Sequence, residues 1–489
     1  MLKCLYNTEL LAPAGSFEKL KYALEFGADA VYAGLPDFSL RARINKFNKK
    51  NINEAINYTH SKNKKIYITI NIFARNYHLD NLKKHLRDLK DSPPDAFIVS
   101  DLGVMEIVKK ILPKTRIHLS TQANTTNWQA AKIWHQIGIK RIVLARELNL
   151  EEIKEIHRKV PKLELECFVH GAMCMAYSGR CFLSAWQTGR SSNLGDCAQN
   201  CRWKYQLVEE KRPDEYIPIE QDQHGSYLLN SKDLCLIEHL DELKNAGVTS
   251  FKIEGRAKSV YYLAQTVKAY RQALDINFSN SNNNSNNKNK NITSFPTAVE
   301  KEVINKNKNI KIKKLKKDIS KLLNRTFTTG FLFGECKYKG QEIRFSHIEE
   351  EYMFVGEVIK LESKKHTLEK HRELKVESKT KKTGVHSLEC NEFGIKQISS
   401  AYRLKPEFQL SSDQKNLIKI KVHNAIFAGD RIEFIQPKGD SIFCKIKNIY
   451  ECKTLEKLKS AHGGQERTVY LEVNKIPKAF SILRKRIKK

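Results

Sequence analysis

Cysteines in the middle of the chain are the residues best suited to carry chemistry. Five of the 11 cysteines lie between Glu166 and Arg202, and a sixth follows soon after. Thiolates are the usual ligands of iron–sulfur clusters, and a loop-rich segment containing glycine lets four sulfur atoms converge on one small volume. This spacing predicts a metal site. The six cysteines are Cys167, Cys174, Cys181, Cys197, Cys201 and Cys235.

Other uses of clustered cysteines fit this sequence less well. A lone cysteine is usually a small buried apolar residue, but six among polar and glycine-rich neighbours favour metal binding. A disulfide cage is disfavoured because residues 1–7 lack a signal-peptide pattern and the cysteine total is odd, so we expect a reducing, cytoplasmic compartment. Zinc sites typically use Cys-x-x-Cys pairs, and the radical enzymes that use S-adenosylmethionine carry Cys-x3-Cys-x2-Cys. The sequence contains neither.

If the site holds an iron–sulfur cluster with four thiolate ligands, we assign these to Cys174, Cys181, Cys197 and Cys235. Ser231 is a suitable N-cap for a helix through Leu243, which would place Cys235 in the first turn, where the helix dipole favours a thiolate. Cys201 is the main rival to Cys197. Cys167 lies on a predicted strand and is left out.

Composition limits the partners of the chain. At 489 residues it is long enough for two or three domains. No apolar run approaches the roughly 20 residues of a membrane helix, so we expect no membrane partner. The formal charge of +31 favours a polyanion such as nucleic acid, although a chain rich in Lys and Asn can carry such charge as ordinary solvated surface.

The first part of the chain alternates short apolar runs with amphipathic helical stretches, which is typical of a parallel α/β fold. Eight such units within roughly 270 residues are close to the size of a TIM-type (β/α)8 barrel. A doubly wound open sheet is the alternative. The predicted strands are Glu9–Ala14, Ala30–Ala33, Lys65–Phe73, Ala96–Ser100, Ile117–Thr121, Arg141–Ala145, Leu163–Val169 and Ser250–Ile253. The predicted helices include Phe17–Phe26, Asn81–Leu89, Val104–Leu112, Trp128–Ile137, Glu151–Val160 and Tyr261–Leu274.

In such a barrel the functional residues gather at the carboxyl ends of the strands. The cysteine segment would then be an insertion after the seventh strand. Polar residues follow several of the other predicted strands and share that position. They include Asn71, Gln122, Arg146, Glu147, His170, Glu254 and Arg256.

The rest of the chain divides at a change of composition. Residues 1–276 would form the barrel, and residues 277–309 are rich in Asn, Ser and Lys, which predicts a disordered linker or insertion. Residues 310–489 would hold a basic connecting helix and a small all-β domain with strands at Tyr352–Ile359, Leu417–Val422, Asp430–Ile435 and Ile442–Ile449. Its scattered cysteines, predicted to be core thiols, are Cys336, Cys390, Cys444 and Cys452.

Several motifs together resemble those of a known family, the collagenase-like peptidases of unknown catalytic type. Residues 166–174 read Glu-x-Phe-x-His-Gly-Ala-Met-Cys, and residues 178–184 read Ser-Gly-x-Cys-Phe-Leu-Ser. Glu9–Gly15, Ser231–Cys235 and Lys252–Arg256 extend the resemblance to about Ala273. Asn324–Gly330 and Ala479–Leu483 are similar to the longer branch of that family, the prephenate-dependent tRNA uridine hydroxylases.

The resemblance implies an enzyme that hydroxylates carbon 5 of the wobble uridine, with a 4Fe–4S cluster as cofactor and prephenate as co-substrate. Its expected partners are the tRNA anticodon loop, a small dicarboxylate, and redox or cluster-assembly proteins. Guanidinium groups bind carboxylates bidentately, and His170 is suited to moving a proton. The catalytic candidates are His170, Arg180, Glu254 and Arg256, followed for carboxylate binding by Arg41, Arg43 and Arg202. Aromatic faces for a splayed base, or packing that shields the cluster, would come from Tyr177, Phe182 and Trp186.

Two other functions remain open on the sequence. One is a collagenase-like peptidase, although the chain has no His-Glu-x-x-His motif and no Gly-x-Ser-x-Gly motif. The other is a non-catalytic RNA-binding protein with a structural cluster, which a turnover assay on tRNA would distinguish.

Overall fold

The chain divides into two compact units, residues 1–352 and residues 353–488. A computed structural model describes residues 8–40, 45–174, 176–203, 207–217, 230–278, 298–334, 347–348, 350–362, 416–464 and 466–487. None of the described helices is both long enough and apolar enough to cross a membrane.

The first unit begins with seven parallel strands joined by helices. The strands are β1 (Glu9–Ala14), β2 (Ala30–Gly34), β3 (Lys65–Ile70), β4 (Ala96–Val99), β5 (Arg116–Leu119), β6 (Arg141–Val143) and β7 (Glu164–Ala172). The helices are α1 (Phe17–Glu25), α2 (Lys49–Ser61), α3 (Asn76–Arg87), α4 (Leu102–Ile111), α5 (Trp128–Gln136) and α6 (Leu150–Lys159). Neighbouring strands pair in chain order from β1 to β7.

The cysteine segment and the end of the first unit follow β7. Their elements are α7 (Leu183–Thr188), β8 (Leu207–Glu209), β9 (Arg212–Ile217), β10 (Asp233–Cys235), α8 (Leu240–Asn245), β11 (Val248–Ile253), α9 (Val260–Phe278), α10 (Ala298–Ile319) and β12 (Phe327–Thr328). Strand β11 pairs in parallel with both β7 and β1, so it closes the sheet. The TIM-type barrel is therefore confirmed, with every predicted strand present, and the open-sheet alternative is wrong.

Short polar residues directly before the helices explain where many of them begin. Ser16 accepts a hydrogen bond from the backbone N–H of Lys19, and Asp101 accepts one from Val104. Asn127 caps α5 in the same way. Such caps satisfy N–H groups that have no partner inside the helix, so each chain turn from strand to helix is set locally and brings the βα loops to one end of the barrel.

The prediction of a disordered segment is wrong for residues 277–278, which end α9, and for residues 298–309, which begin α10. Helix α10 packs on α9 and buries Ile312 and Ile319. Lys316 Nζ lies 2.5 Å from a carboxylate oxygen of Glu238, and Lys308 pairs with Asp241. Two buried isoleucines and these ion pairs stabilise a helix in a segment whose composition is typical of disorder. Residues 279–297 lie outside the described part.

The second unit is an antiparallel β domain, as predicted. Its strands are β13 (Tyr352–Glu362), β14 (Asn416–Val422), β15 (Ile426–Phe427), β16 (Arg431–Ile435), β17 (Ile442–Glu451), β18 (Lys457–Leu458), β19 (Ser460–Ala461), β20 (Thr468–Val473) and β21 (Ile482–Arg486). The main sheet runs β16-β21-β13-β14-β20-β17-β18, and an added β16–β17 pairing closes it into a small barrel.

The boundary and the thiols of this unit need some correction. The compact unit starts at residue 353, so the basic helix belongs to the barrel unit. Cys444 is buried in the core as predicted, but Cys452 is only half-buried. Cys336 and Cys390 lie outside the described residues.

Candidate active site

A cavity of about 360 Å³ opens at the carboxyl ends of the barrel strands. Strand residues such as Tyr32, Phe168 and Lys252 form its floor, and the segment after β7 lines its opposite side. The cavity therefore lies where the sequence predicts the site, at the strand ends beside the cysteine segment.

Four thiols line this cavity, those of Cys174, Cys181, Cys197 and Cys201. Cys174 is exposed, and the other three are half-buried. Burial raises the pKa of Cys201, and the neighbouring thiols of Cys174 and Cys197 add to this. Within the described residues no three Cys, His, Asp or Glu side chains converge closely enough to hold a metal ion. The donor set of a cluster is thus gathered around one space, with its sulfur atoms still apart.

Cys235, the fourth predicted ligand, lies elsewhere. It is on β10, whose backbone pairs antiparallel with β7, and α8 begins only at Leu240 with His239 as its N-cap. The prediction that Cys235 lies in the first turn of a helix is therefore wrong, because the backbone of this segment pairs with β7 instead of forming helical hydrogen bonds. The Cys235 thiol is buried 3.8 Å from the hydroxyl of Tyr270, and burial raises its pKa to about 11.

The turn between Cys174 and Cys181 is braced from the barrel. Ser178 has a φ of +44°, and both its backbone N–H and its hydroxyl donate to the carboxylate of Glu147 at 2.5 Å. Gln122 Nε2 donates to the carbonyl of Ser178 at 3.2 Å. A Cβ at Gly179 would lie 2.6 Å from that nitrogen, so this position requires glycine. The sequence placed Glu147 and Gln122 at strand ends but gave no sign of their partners.

Two arginines with different hydrogen-bond partners line the cavity. Arg180 donates through Nε and Nη2 to the carbonyl of Gln122, at 3.0 and 2.8 Å. Arg146 donates through Nη1 to the carbonyl of Ala172 at 2.8 Å, and its guanidinium carbon lies 4.0 Å from the ring centre of Phe168. In the described part of the chain, Arg180 Nη1 and Arg146 Nε and Nη2 make no hydrogen bond. Both side chains therefore have N–H groups able to meet an anion.

The other carboxylate-binding candidates differ in position. Arg256 lines the cavity but also braces a loop, donating to the hydroxyl of Thr69 at 3.3 Å and to the carbonyl of Leu40. Arg202 contacts Gln199. Arg41 and Arg43 lie outside the described residues. Glu254 lines the cavity, and no described group donates a hydrogen bond to its carboxylate.

His170 lies behind the cavity wall rather than in it. Its ring is buried, with Nδ1 3.3 Å from the hydroxyl of Tyr270 and the ring centre of Tyr262 at 5.9 Å. Burial lowers the pKa of His170 to about 4, despite the nearby Asp233. A neutral imidazole in this packing acts structurally, so the described geometry does not support the predicted proton transfer.

A buried charge network beneath the floor was missed by the sequence analysis. Lys252 Nζ lies 2.7 Å from one oxygen of Glu166, and the other oxygen lies 3.2 Å from Arg141. Arg141 continues to Glu9 at 2.5 Å. Burial would raise the pKa of Glu9, but Arg141 outweighs it and holds that pKa below its usual range. The signal in the sequence was a charged residue inside each of several apolar strands.

The three aromatic residues proposed from the sequence are on the outside of the cysteine segment. Tyr177, Phe182 and Trp186 are 53%, 76% and 73% exposed, and Phe182 also lines the cavity. These rings therefore lie outside the hydrophobic core of the barrel. These rings are available as flat faces beside the cavity mouth.

Comparison with known proteins places this arrangement in a family. The sequence profile of Peptidase family U32 matches residues 15–342, which include the whole site. The chain belongs to this family. The profile of the Peptidase family U32 C-terminal domain matches residues 407–484.

Curated U32 relatives carry different names. The chain is 43% identical over 310 residues to tRNA hydroxylation protein P of Escherichia coli, covering 55% of this chain and 68% of that one. It is 40% identical over 271 residues to the 23S rRNA 5-hydroxycytidine C2501 synthase of the same organism, covering 55% and 40%. It is 33% identical over 278 residues to a collagenase of Porphyromonas gingivalis, covering 55% and 65%.

Proposed function

We propose that this U32 protein hydroxylates RNA, and specifically carbon 5 of the wobble uridine of tRNA, with prephenate as co-substrate and a 4Fe–4S cluster as cofactor. The hydroxylation of RNA is supported by relatives named for tRNA hydroxylation and for synthesis of 5-hydroxycytidine in rRNA. The observation that carries the proposal is one cavity in which four thiols, four cationic side chains and the exposed ring of Phe182 meet.

The target base would enter from the aromatic side. Anticodon-loop bases are unstacked and can be splayed into a pocket, where aromatic faces replace their lost stacking. Phe182 both lines the cavity and is 76% exposed, which suits a ring that receives a base at the mouth. The cavity volume of about 360 Å³ lies in the range of small-molecule sites.

The charge of the lining favours an anionic co-substrate. Four cationic side chains, those of Arg146, Arg180, Lys252 and Arg256, face the cavity against one carboxylate, that of Glu254. Fixed cations in a partly dehydrated cavity attract a carboxylate far more strongly than exposed lysines do. A small dicarboxylate such as prephenate fits this lining.

The same residues suggest how the chain would act on a bound uridine. Replacing hydrogen by hydroxyl at carbon 5 is a two-electron oxidation of the base. The oxygen would have to come from the hydroxyl group of the co-substrate, whose carbon would be reduced in exchange, and a proton would have to leave carbon 5. Glu254 is the carboxylate on the cavity wall, so it is suited to accept that proton. Arg180 Nη1 would hold a carboxylate of the co-substrate, and the walls around the bound base would exclude water.

The cluster would be held by Cys174, Cys181 and Cys197 with one further thiol. Cys201 supplies it if the described arrangement persists when the cluster is bound, because its thiol lines the same cavity. Cys235 supplies it if cluster binding draws that thiol away from Tyr270. The cluster would contribute an iron centre able to exchange electrons.

Mass spectrometry of tRNA nucleosides tests this function. Cells that lack the protein should lose 5-hydroxyuridine and its derivatives from tRNA, and the wild-type chain should restore them. Arg180→Ala should fail to restore them, whereas Arg158→Ala, a matched change on the exposed face of α6, should behave as wild type. Unchanged nucleosides in cells without the protein would refute the proposal, and wild-type yield from the Arg180 variant would refute its role.

A further inference from the structure

We propose that Lys252 and Arg146 form a carboxylate-binding site on the cavity floor, which takes one carboxylate of a small dicarboxylate. The inference rests on the proposed function for the identity of the ligand, and the site itself is argued from the geometry. It divides the cavity into two anion-binding ends, with Arg180 at the other.

Lys252 has more hydrogen-bond donors than its protein partner uses. Its side chain is 4% exposed, and Nζ donates to Glu166 at 2.7 Å. The other two ammonium protons have no hydrogen-bond acceptor among the described residues, and the side chain lines the cavity. Leaving such donors unpaired in a buried site costs free energy. A carboxylate oxygen bound at the floor would satisfy them.

Lys252 has a buried counter-ion, the carboxylate of Glu166, beneath the cavity floor. Burial lowers the pKa of Lys252, but the adjacent Glu166 carboxylate opposes this. Glu166 is itself 0% exposed and shared with Arg141. The ion pair with Glu166 therefore fixes the ammonium at a defined point rather than on a flexible surface stem, which is what pre-organised recognition of an anion requires.

Arg146 and Lys252 both lie near the ring of Phe168. Its guanidinium carbon is 4.0 Å from the ring centre of Phe168, and Lys252 Nζ is 5.3 Å from that centre. Both side chains line the cavity, and both have N–H groups that donate no hydrogen bond to the described residues. A guanidinium and an ammonium that line one cavity can each donate to a carboxylate bound there.

The second end of the cavity is separate. Arg180 lies 5.8 Å from the ring centre of Phe73 and donates to Gln122, on loops that follow β3 and β5. Lys252 and Arg146 come from β11 and from the loop after β6. A ligand with two carboxylates could engage both ends at once, which a ligand with one carboxylate cannot do.

Calorimetric titration of the full-length, cluster-loaded protein tests the site. The probes are prephenate, glutarate as a second dicarboxylate with the same three-carbon spacing between its carboxylates, and phenylpyruvate as a monocarboxylate. We expect Lys252→Met and Arg146→Met each to weaken dicarboxylate binding about tenfold or more. Phenylpyruvate should bind more weakly than prephenate. Arg116→Met is the control, because it removes a partly exposed cation at the amino end of β5, and it should bind as wild type.

A variant with balanced charge guards against misfolding. Lys252→Met alone leaves Glu166 less compensated, so the double change Lys252→Met with Glu166→Gln removes one charge of each sign. If this double variant and Arg146→Met melt as wild type yet bind both dicarboxylates as wild type does, the inference is overturned. Failure of the wild-type protein to bind either dicarboxylate also overturns it.

The proposed function is judged by a different readout, the hydroxylated nucleosides of cellular tRNA. Hydroxylation in cells together with wild-type binding by the variants would refute only the floor site. Weakened dicarboxylate binding in a protein that hydroxylates no tRNA would support the floor site and refute the proposed function.

Discussion

The brace between Glu147 and Ser178 should control how well the turn that carries Arg180 and Cys181 is ordered. Ser178→Ala removes one hydrogen bond to a carboxylate, worth roughly 1.5–3 kcal/mol, and leaves an L residue at a φ of +44°. Ser178→Gly removes the same bond but relieves a left-handed strain of about 1–2 kcal/mol. The glycine turn should therefore be more stable than the alanine turn by about 1 kcal/mol, which is roughly a fivefold difference in opening.

Hydrogen exchange followed by mass spectrometry measures this opening in peptides that cover residues 176–181. Exchange should be slowest in the wild type, faster in Ser178→Gly and about fivefold faster again in Ser178→Ala, after correction for intrinsic rates. Glu147→Gln should also speed exchange, whereas Glu152→Gln, a change in the exposed first turn of α6, should not. Equal exchange in the alanine and glycine variants would refute the claim that the backbone is strained here.

Three further predictions concern the cluster, the barrel and RNA binding. Only one of the two single variants, Cys201→Ala or Cys235→Ala, should abolish iron retention in anaerobically purified protein, because only one of these thiols is the fourth ligand. Cys452→Ala should leave iron retention unchanged. Arg325→Met should lower the free energy of unfolding of the barrel unit by about 3–5 kcal/mol in urea. The reason is that it removes the cation that Asp233 contacts at 2.5 Å and leaves this buried carboxylate without its ion pair. Adding Asp233→Asn should recover part of that loss. Neutralising the exposed lysines of α10 that make no described ion pair should weaken tRNA binding and flatten its salt dependence without removing iron. These are Lys306, Lys311, Lys313, Lys314 and Lys317.

The barrel could be predicted because its signals are local. Each strand is a short apolar run, and residues such as Ser16 and Asp101 cap the helix that follows by contacts three residues along the chain. The clustering of polar residues at strand ends then located the cavity without any contact being known.

The errors arose where distant segments compete for the same backbone or side chain. Cys235 reads as part of a helix, but its strand pairs with β7 opposite His170. Arg256 lines the cavity, but its contact with the carbonyl of Leu40, far away in sequence, could not be predicted. Lys252 lies within one of the sequence motifs, but the position of its ammonium group depends on Glu166, 86 residues away. Spacing along the chain carries no information about such pairs.

Mapping of the modified nucleotide in tRNA tests the central claim most directly. tRNA would be prepared from cells that lack the protein and from the same cells supplied with the wild-type chain. Each sample would be digested with a nuclease, and the masses of the fragments would be measured by mass spectrometry. The account predicts that the wild-type chain adds the mass of one oxygen atom to the fragment that contains the wobble uridine. An added oxygen confined to another nucleotide or to rRNA, or no added oxygen at all, would contradict it.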